Sequence, residues 1–374
     1  MSETQPALQD RVPVSILTGF LGSGKTTLLS KLMRNPAMDK VAVIVNEFGE
    51  IGIDDALVVQ SNEDTILLNS GCLCCTVRGD LVDTMRKLFI ERADGTVPPF
   101  ERLVVETTGL ADPAPILHTM MADPFLITRY RLDGVITVVD AHHAMQQFDQ
   151  QYESVKQAAV ADRIVLSKID VTDPEMVATV KSRLASVNPA APLIESNHGD
   201  VDPAVLFNAG LYNPLTKTAD VTQWLKEEAY RDTEGHVYHR HSEGGHDEAG
   251  HSHEHEHEHG HGHHHDVNRH DDHIHSFVLY FDEPLKWSKI AGSLDMMAQT
   301  HGANILRIKG LVNVAEIDDQ PVVVHAVQHM FHPPAKIDDW PSDDRRSRLV
   351  FIVRDLDKET VESVLSSYLA LDFN

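Results

Sequence analysis

Residues 14 to 27, VSILTGFLGSGKTT, constrain this chain more than any other stretch. They match G-x-x-x-x-G-K-[ST] at Gly19, Gly24, Lys25 and Thr26, and the apolar run Val14 to Leu17 ahead of them reads as a buried strand that delivers the loop. A loop that wraps a phosphate must turn backbone N–H groups inward with no Cβ in the way, and Gly19, Gly22 and Gly24 allow that. The spacing then assigns roles. Ser23 and Gly24 belong to the cradle, Lys25 reaches the β- and γ-phosphates, and the Thr26 hydroxyl goes to Mg²⁺. A helix opening at Thr27 points its positive end at the same anion.

Such a loop belongs to an α/β sheet, and the chain keeps to that pattern from residue 11 to about 215. Strands are expected at Val14–Leu17, Val41–Val45, Thr65–Leu68, Leu103–Val105, Val135–Val139 and Ile164–Leu166, with a weaker seventh at Leu193-Ile194. Helices are expected between them, at Thr26–Met33, Gly79–Arg92, Ala114–Met121, Ser154–Ala161 and Pro174–Ser186, the last opened by Asp173 as cap and Pro174 at the first position. Alternation of this kind predicts a P-loop NTPase domain with a mainly parallel sheet and helices on both faces.

The rest divides by composition. Residues 1–10 read as a disordered start, and residues 216–275 as a linker with a short helix around Trp224 and Leu225. Between His236 and His275 lie 16 of the 24 histidines, mixed with Glu, Asp and Gly, and so polar a stretch cannot bury a core. Residues 276–374 regain apolar periodicity, with strands expected at Ser276–Phe281, Ile305–Lys309, Val322–Val327 and Leu349–Val353 and helices at Trp287–Thr300 and Lys358–Tyr368. This predicts a smaller C-terminal α+β domain.

Net charge narrows the partners. With 32 Lys and Arg against 57 Asp and Glu, the formal charge is −25, which argues against nucleic acid or an anionic membrane and for cations. The first residues contain no apolar signal segment, and no run approaches the roughly 18 apolar residues that span a bilayer, so a cytoplasmic protein is expected.

Further chemistry-bearing motifs follow the expected strands. Asn46 to Asp54, NEFGEIGID, carries Glu47, Glu50 and Asp54 on a glycine-punctuated loop suited to a switch near Mg²⁺ and the γ-phosphate. Glu106 closes an apolar run as a Walker-B carboxylate must, to hold Mg²⁺ or its water shell, and the N–H of Gly109 is placed to meet the γ-phosphate. Ser167-Lys168-Ile169-Asp170 is close to N-K-x-D. A carboxylate at Asp170 accepts hydrogen bonds from guanine N1–H and the N2 amino group, which adenine cannot offer, while Lys168 lies along the base. GTP over ATP is therefore expected, with Ser196 and Asn197 closing over the base.

All 3 cysteines lie within four residues, at Cys72, Cys74 and Cys75. A disulfide framework is thereby excluded, and three thiolates at C-x-C-C spacing can converge on Zn²⁺, Cu(I) or thiophilic cobalt. A fourth ligand is not local; Glu47, a histidine or a partner's side chain could supply it, and an open position suits a metal that must leave again. The histidine tract offers many weak, exchangeable sites for Zn²⁺, Ni²⁺, Co²⁺ or Cu²⁺. His325, His329 and His332 form another cluster, with the four-residue spacing placing His325 and His329 on one strand face, but surface histidines are common and the spacing alone assigns them no ligand role. His142 and His143 read as structural.

With GFLGSGKTT, NEFGEIGID, GCLCCT, ETTGLADP and SKID in this order, and ILRIKGLV, HAVQHMFHP and RRSRLVFIVRD beyond them, the chain resembles the CobW-type GTPases over nearly its whole length. That resemblance implies a slow GTPase and metallochaperone, binding a transition metal such as zinc at Cys72, Cys74 and Cys75 in a manner coupled to GTP or GDP and handing it to a client metalloprotein. Catalytic roles would fall to Lys25 and Thr26, with Glu47 a candidate for orienting water. Two other readings follow from the same residues: a GTP-gated metal buffer or sensor, with zinc, cobalt or nickel stored in the histidine tract, and a small-molecule kinase, for which no basic substrate pocket is evident. Within the family, cobalt delivery for cobalamin synthesis is a further possibility.

Overall fold

The computed structural model describes residues 10–45, 67–69, 77–208 and 273–370. Its first half is built on β1 (Val12–Thr18), β2 (Val41–Val45), β3 (Leu67–Asn69), β4 (Arg102–Glu106), β5 (Tyr130–Asp140), β6 (Arg163–Ser167) and β7 (Leu193–Glu195). They pair in parallel in the order β3-β2-β4-β1-β5-β6-β7. All five residues of β2 are buried, which is why VAVIV shows no alternation: a strand covered on both faces needs apolar side chains at every position.

The covering helices are α1 (Lys25–Leu32), α2 (Val77–Asp94), α3 (Ala114–Ala122), α4 (Leu126–Arg129), α5 (Ala144–Gln150), α6 (Tyr152–Ala159), α7 (Pro174–Val187) and α8 (Pro203–Leu206). Successive strand residues go to opposite faces. Ile16 and Val105 pack with Met85, Leu88 and Leu117 of α2 and α3, whereas Leu17 and Val104 pack with Leu28, Leu29 and Leu32 of α1. Asp173 caps α7 through Glu175 N at 2.8 Å with Pro174 at its first turn, as its sequence predicts.

The second half is an antiparallel sheet of β8 (Ile274–Phe281), β9 (Ile305–Val312), β10 (Val322–Val327), β11 (Met330–Phe331), β12 (Ala335–Lys336) and β13 (Ser347–Arg354). Its order is β11-β10-β9-β13-β8, with β12 also on β10. Helices α9 (Trp287–His301) and α10 (Lys358–Ala370) bury Ile290, Leu294, Met297, Val361 and Leu365 against Ile308, Leu349 and Phe351. The sheet also docks on the first half: Leu306 and Ile352 share a core with α5, α6 and α7, and Val327 shares one with α2 and α3.

Charge crosses the same boundary. Arg307 and Lys309 of β9 both pair with Asp162, which precedes β6; Arg307 also donates to Val160 O and, at 2.6 Å, to Ala161 O. All three side chains are nearly sealed from solvent.

Several expectations change. β5 starts at Tyr130 rather than Val135, because Asp133, which reads as a loop residue, is buried and accepts from Arg102, from Ser15 Oγ at 3.0 Å and from Asn208 N at 2.9 Å. β8 opens at Ile274, inside the expected linker, and α4, α5 and α8 are too short for periodicity to reveal. His325 and His332 are not surface residues. They are buried and lie across a hairpin, His332 N donating to His325 O at 2.8 Å, with rings stacked 4.4 Å apart. β10 ends at Val327, so His329 is not a strand partner of His325; its ring meets His118 of α3 at 5.9 Å. The start of the chain, the helix expected around Trp224 and the dense histidine tract lie outside the described residues.

Candidate functional site

The loop between β1 and α1 has the backbone its glycines permit. Gly19, Gly22 and Gly24 take φ of 141°, 72° and 94°, a region costly to residues with a Cβ. At Gly19 space is a second reason: a Cβ there would lie 2.3 Å from Val138 O. Lys25 Nζ donates to Gly19 O at 2.8 Å and Phe20 O at 3.1 Å, spanning the inside of the loop. Helix α1 opens immediately, Leu28 N donating to Gly24 O at 2.9 Å, so its N-terminus faces the same space.

Sheet order brings the next parts to this loop. β1 and β4 are neighbours in register Leu17↔Glu106, so the carboxylate that ends β4 stands beside the strand that feeds the loop. Glu106 is buried, and Thr26 Oγ1 donates to its Oε1 at 3.0 Å. A hydroxyl facing a carboxylate at the C-terminal edge of a parallel sheet is the donor set a hard divalent cation takes, and these two residues fit Mg²⁺. Thr107 continues the contact, its N–H donating to Leu17 O at 2.9 Å and its hydroxyl to Thr18 Oγ1 at 2.9 Å. Gly109 then lies against the loop so closely that a Cβ would fall 2.6 Å from Leu21 N.

The segment from Ser167 to Asp170, at the end of β6, closes the other side. Ser167 Oγ lies 2.6 Å from Ser23 O and 3.2 Å from Val139 O, so this hydroxyl ties the end of β6 to the phosphate loop. Lys168 takes the left-handed conformation at φ 57°, and its Nζ donates to Asp140 Oδ2 at 2.8 Å. Asp140 was not singled out in the sequence. It is buried at the end of β5 and accepts from Lys168, from His143 Nδ1 at 2.8 Å and from His142 N at 2.9 Å. Burial opposes ionisation of its carboxyl, yet these hydrogen bonds outweigh that and hold it below the ordinary carboxylate range. Asp170 remains partly open, 3.5 Å from His198 Nε2. Gly199 sits 3.2 Å by its would-be Cβ from Thr27 O, which packs the Ser196-Asn197 loop onto α1.

Lys25, Thr26, Glu106, Gly109, Lys168 and Asp170, with the glycines, Ser23 and Thr27, are thus assembled along one edge of the sheet. Glu47, Glu50, Asp54, Cys72, Cys74 and Cys75 lie outside the described residues, and among the described residues no three ligand side chains are arranged to hold a metal. Missed in the sequence, besides Asp140, are Lys156 and Gln157 on α6. Lys156 pairs with Asp112, and Gln157 Nε2 donates to Gly109 O and Ala111 O. Nothing in the local pattern distinguishes these polar helix residues from solvated ones.

The family profile "CobW/HypB/UreG, nucleotide-binding domain" matches residues 13–195, and "Cobalamin synthesis protein cobW C-terminal domain" matches residues 274–369. A protein of Escherichia coli (strain K12) named "Zinc chaperone YjiA" is 43% identical over 53% of this chain and 61% of its own length. The Saccharomyces cerevisiae "Zinc-regulated GTPase metalloprotein activator 1" is 27% identical over 96% of this chain and 84% of its own. A solved structure, that of the Zn(II)-bound YjiA GTPase from E. coli, superposes with a TM-score of 0.65 at 29% identity, covering 96% of this chain and 99% of that one.

Proposed function

Because the chain belongs to the CobW/HypB/UreG family and carries the CobW C-terminal domain, we propose that it is a GTP-hydrolysing metallochaperone that loads a transition metal, most simply zinc, and passes it to a client metalloprotein. The observation that carries the GTPase half is the single sheet edge on which Thr26 faces Glu106 while Ser167 ties the Asp170 segment to the loop through Ser23 O. Asp170 selects guanine, Lys25 and Thr26 face the β- and γ-phosphates, and Gly109 offers its N–H to the γ-phosphate. Thr26 and Glu106 would hold Mg²⁺, which when bound would neutralise the charge of the phosphates. Water attacks the γ-phosphorus, the bond to the β–γ bridging oxygen breaks, and GDP and phosphate leave; Glu47 is the candidate for orienting that water.

For the metal, Cys72 comes three residues after β3 ends, and β3 runs parallel to β2 on the side of the sheet that bears the phosphate loop. The expected switch residues 46–54 follow the neighbouring strand, β2, directly in sequence. With GTP bound, switch and cysteine loop order together and the three thiolates hold the metal; hydrolysis loosens both and releases it to the client. Cytoplasmic action is part of the proposal, and no helix among the described residues is long and apolar enough to cross a membrane.

Lys25→Ala removes the charge that spans the loop. GTP binding, followed with a fluorescent analogue, should weaken at least 100-fold, on the order of 3 kcal/mol. A variant that kept wild-type affinity would refute the assignment of this loop.

A further inference from the structure

Helix α6 touches the loop that follows β4 without belonging to it. Gln157 is fully buried, and its Nε2 donates to Ala111 O at 3.0 Å and to Gly109 O at 3.3 Å. One residue earlier, Lys156 Nζ pairs with Asp112 Oδ2. The loop from Gly109 to Asp112 is therefore held from behind by two adjacent side chains, while Gly109 presses on the backbone of Leu21 in front.

Planarity of the peptide bond makes this a matter of direction. In a trans peptide the C=O and the following N–H point opposite ways. Pinning the Gly109 and Ala111 carbonyls toward α6 consequently turns the N–H groups of Leu110 and Asp112 away from α6. The Ala111 N–H is already used, donating to Thr108 O at 3.0 Å, so the loop's turn is fixed as well. The backbone of Gln157 is in turn fixed: its main-chain carbonyl accepts from Thr137 Oγ1 of β5 at 2.7 Å. Both ends of α6 are held by the C-terminal half, the C-terminal end by Arg307 on Val160 O and Ala161 O and the N-terminal end by the Arg354 guanidinium 4.1 Å above the Tyr152 ring.

One atom of this amide is unmatched. Gln157 Oε1 is buried with no hydrogen-bond partner, a costly state for a side chain whose only role is packing. An isosteric apolar residue would remove that unpaired acceptor and keep the volume, but it would leave the Gly109 and Ala111 carbonyls without their donor, so the amide serves to hold the direction of this loop.

We propose that Gln157 is a positioning residue for the reaction: it sets the direction in which the loop after Glu106 presents its N–H groups to the γ-phosphate, from a helix clamped by the C-terminal domain. This rests on the GTPase reading above. Gln157 touches neither nucleotide nor Mg²⁺ in this account, so its loss slows hydrolysis and leaves binding intact.

The test is single-turnover and steady-state GTP hydrolysis by the full chain carrying Gln157→Met, beside the wild type, with GDP affinity and the thermal midpoint measured on the same samples. Methionine keeps the length and packing of the side chain and donates no hydrogen bond. The expected result is a 10- to 100-fold fall in kcat, the range that small displacements of a reacting geometry produce, with KM and GDP affinity within about threefold of wild type and a midpoint lowered by no more than the loss of two hydrogen bonds entails. Unchanged kcat would overturn the inference. So would a joint fall in kcat, GDP affinity and midpoint, which marks a purely structural residue. A wild-type protein that binds no GTP would bring down the underlying GTPase reading, an outcome told apart by the wild-type arm alone.

Discussion

Between pH 7 and pH 5 the protein is expected to lose about 4 kcal/mol of unfolding free energy through two histidines. His325 and His332 are buried face to face in the seam between the two halves, near Arg307, Lys309 and Asp162. Burial disfavours the imidazolium of each, and the Arg307 and Lys309 cations add to that for both; for His325 the neighbouring His332 does so too, while Asp162 partly offsets it for His332. The His332 pKa is held down to about 3 and that of His325 well below its ordinary 6.5. Both stay neutral in the folded chain as the pH falls, whereas the unfolded chain takes up a proton at each below about 6.5. Acid therefore favours the unfolded state. The stabilisation is complete above that value and declines toward pH 3, at roughly 1.4 kcal/mol per pH unit per histidine. Urea unfolding at pH 7 and pH 5 measures it, and His325→Leu with His332→Leu should flatten most of the slope. An unaltered slope would mean that the loss arises elsewhere.

Asp162→Ala is expected to cost about 3–5 kcal/mol at pH 7, as for other buried charges stripped of a partner. The aspartate is the hub of the seam: it answers Arg307 and Lys309 and accepts from Val135 N at 2.9 Å. Burial works against its ionised form, but the two cations, the Lys309 hydrogen bond and the Val135 N–H overcome that and lower its pKa strongly. Without it two cations and a backbone N–H are left facing one another in a dry space. Chemical denaturation of the variant gives the number directly. A loss below 1 kcal/mol would show that solvent reaches the seam.

The two halves of the molecule differ in how much of this can be read from sequence. The phosphate loop is legible because its determinants are local, three glycines and a lysine within seven residues, and β2 because a strand buried on both faces is apolar throughout. The seam is not. ILRIKGLV alternates apolar and polar residues, which ordinarily means a solvated face; here Arg307 and Lys309 are covered by a second domain that supplies the matching charge. The same holds for His325, a lone polar residue in the strand VVVHAV that carries no sign of the partner surface. Gln157 and Asp140 were missed for a related reason: each serves a motif far away in sequence, 48 residues for Gln157 and Gly109, and 28 for Asp140 and Lys168. Ser167 shows the converse, an unusual residue in a recognised motif whose role became clear only when the structure placed its hydroxyl on Ser23 O.

The central claim is that nucleotide state sets metal affinity, and the most direct measurement is the Zn²⁺ affinity of the full chain by chelator competition, first with GDP and then with a non-hydrolysable GTP analogue and Mg²⁺. Coupled sites predict at least tenfold tighter binding with the analogue, about 1.4 kcal/mol, and loss of that difference in Cys74→Ser with Cys75→Ser. Equal affinity in both nucleotide states would contradict the account and leave a protein that stores metal without gating it.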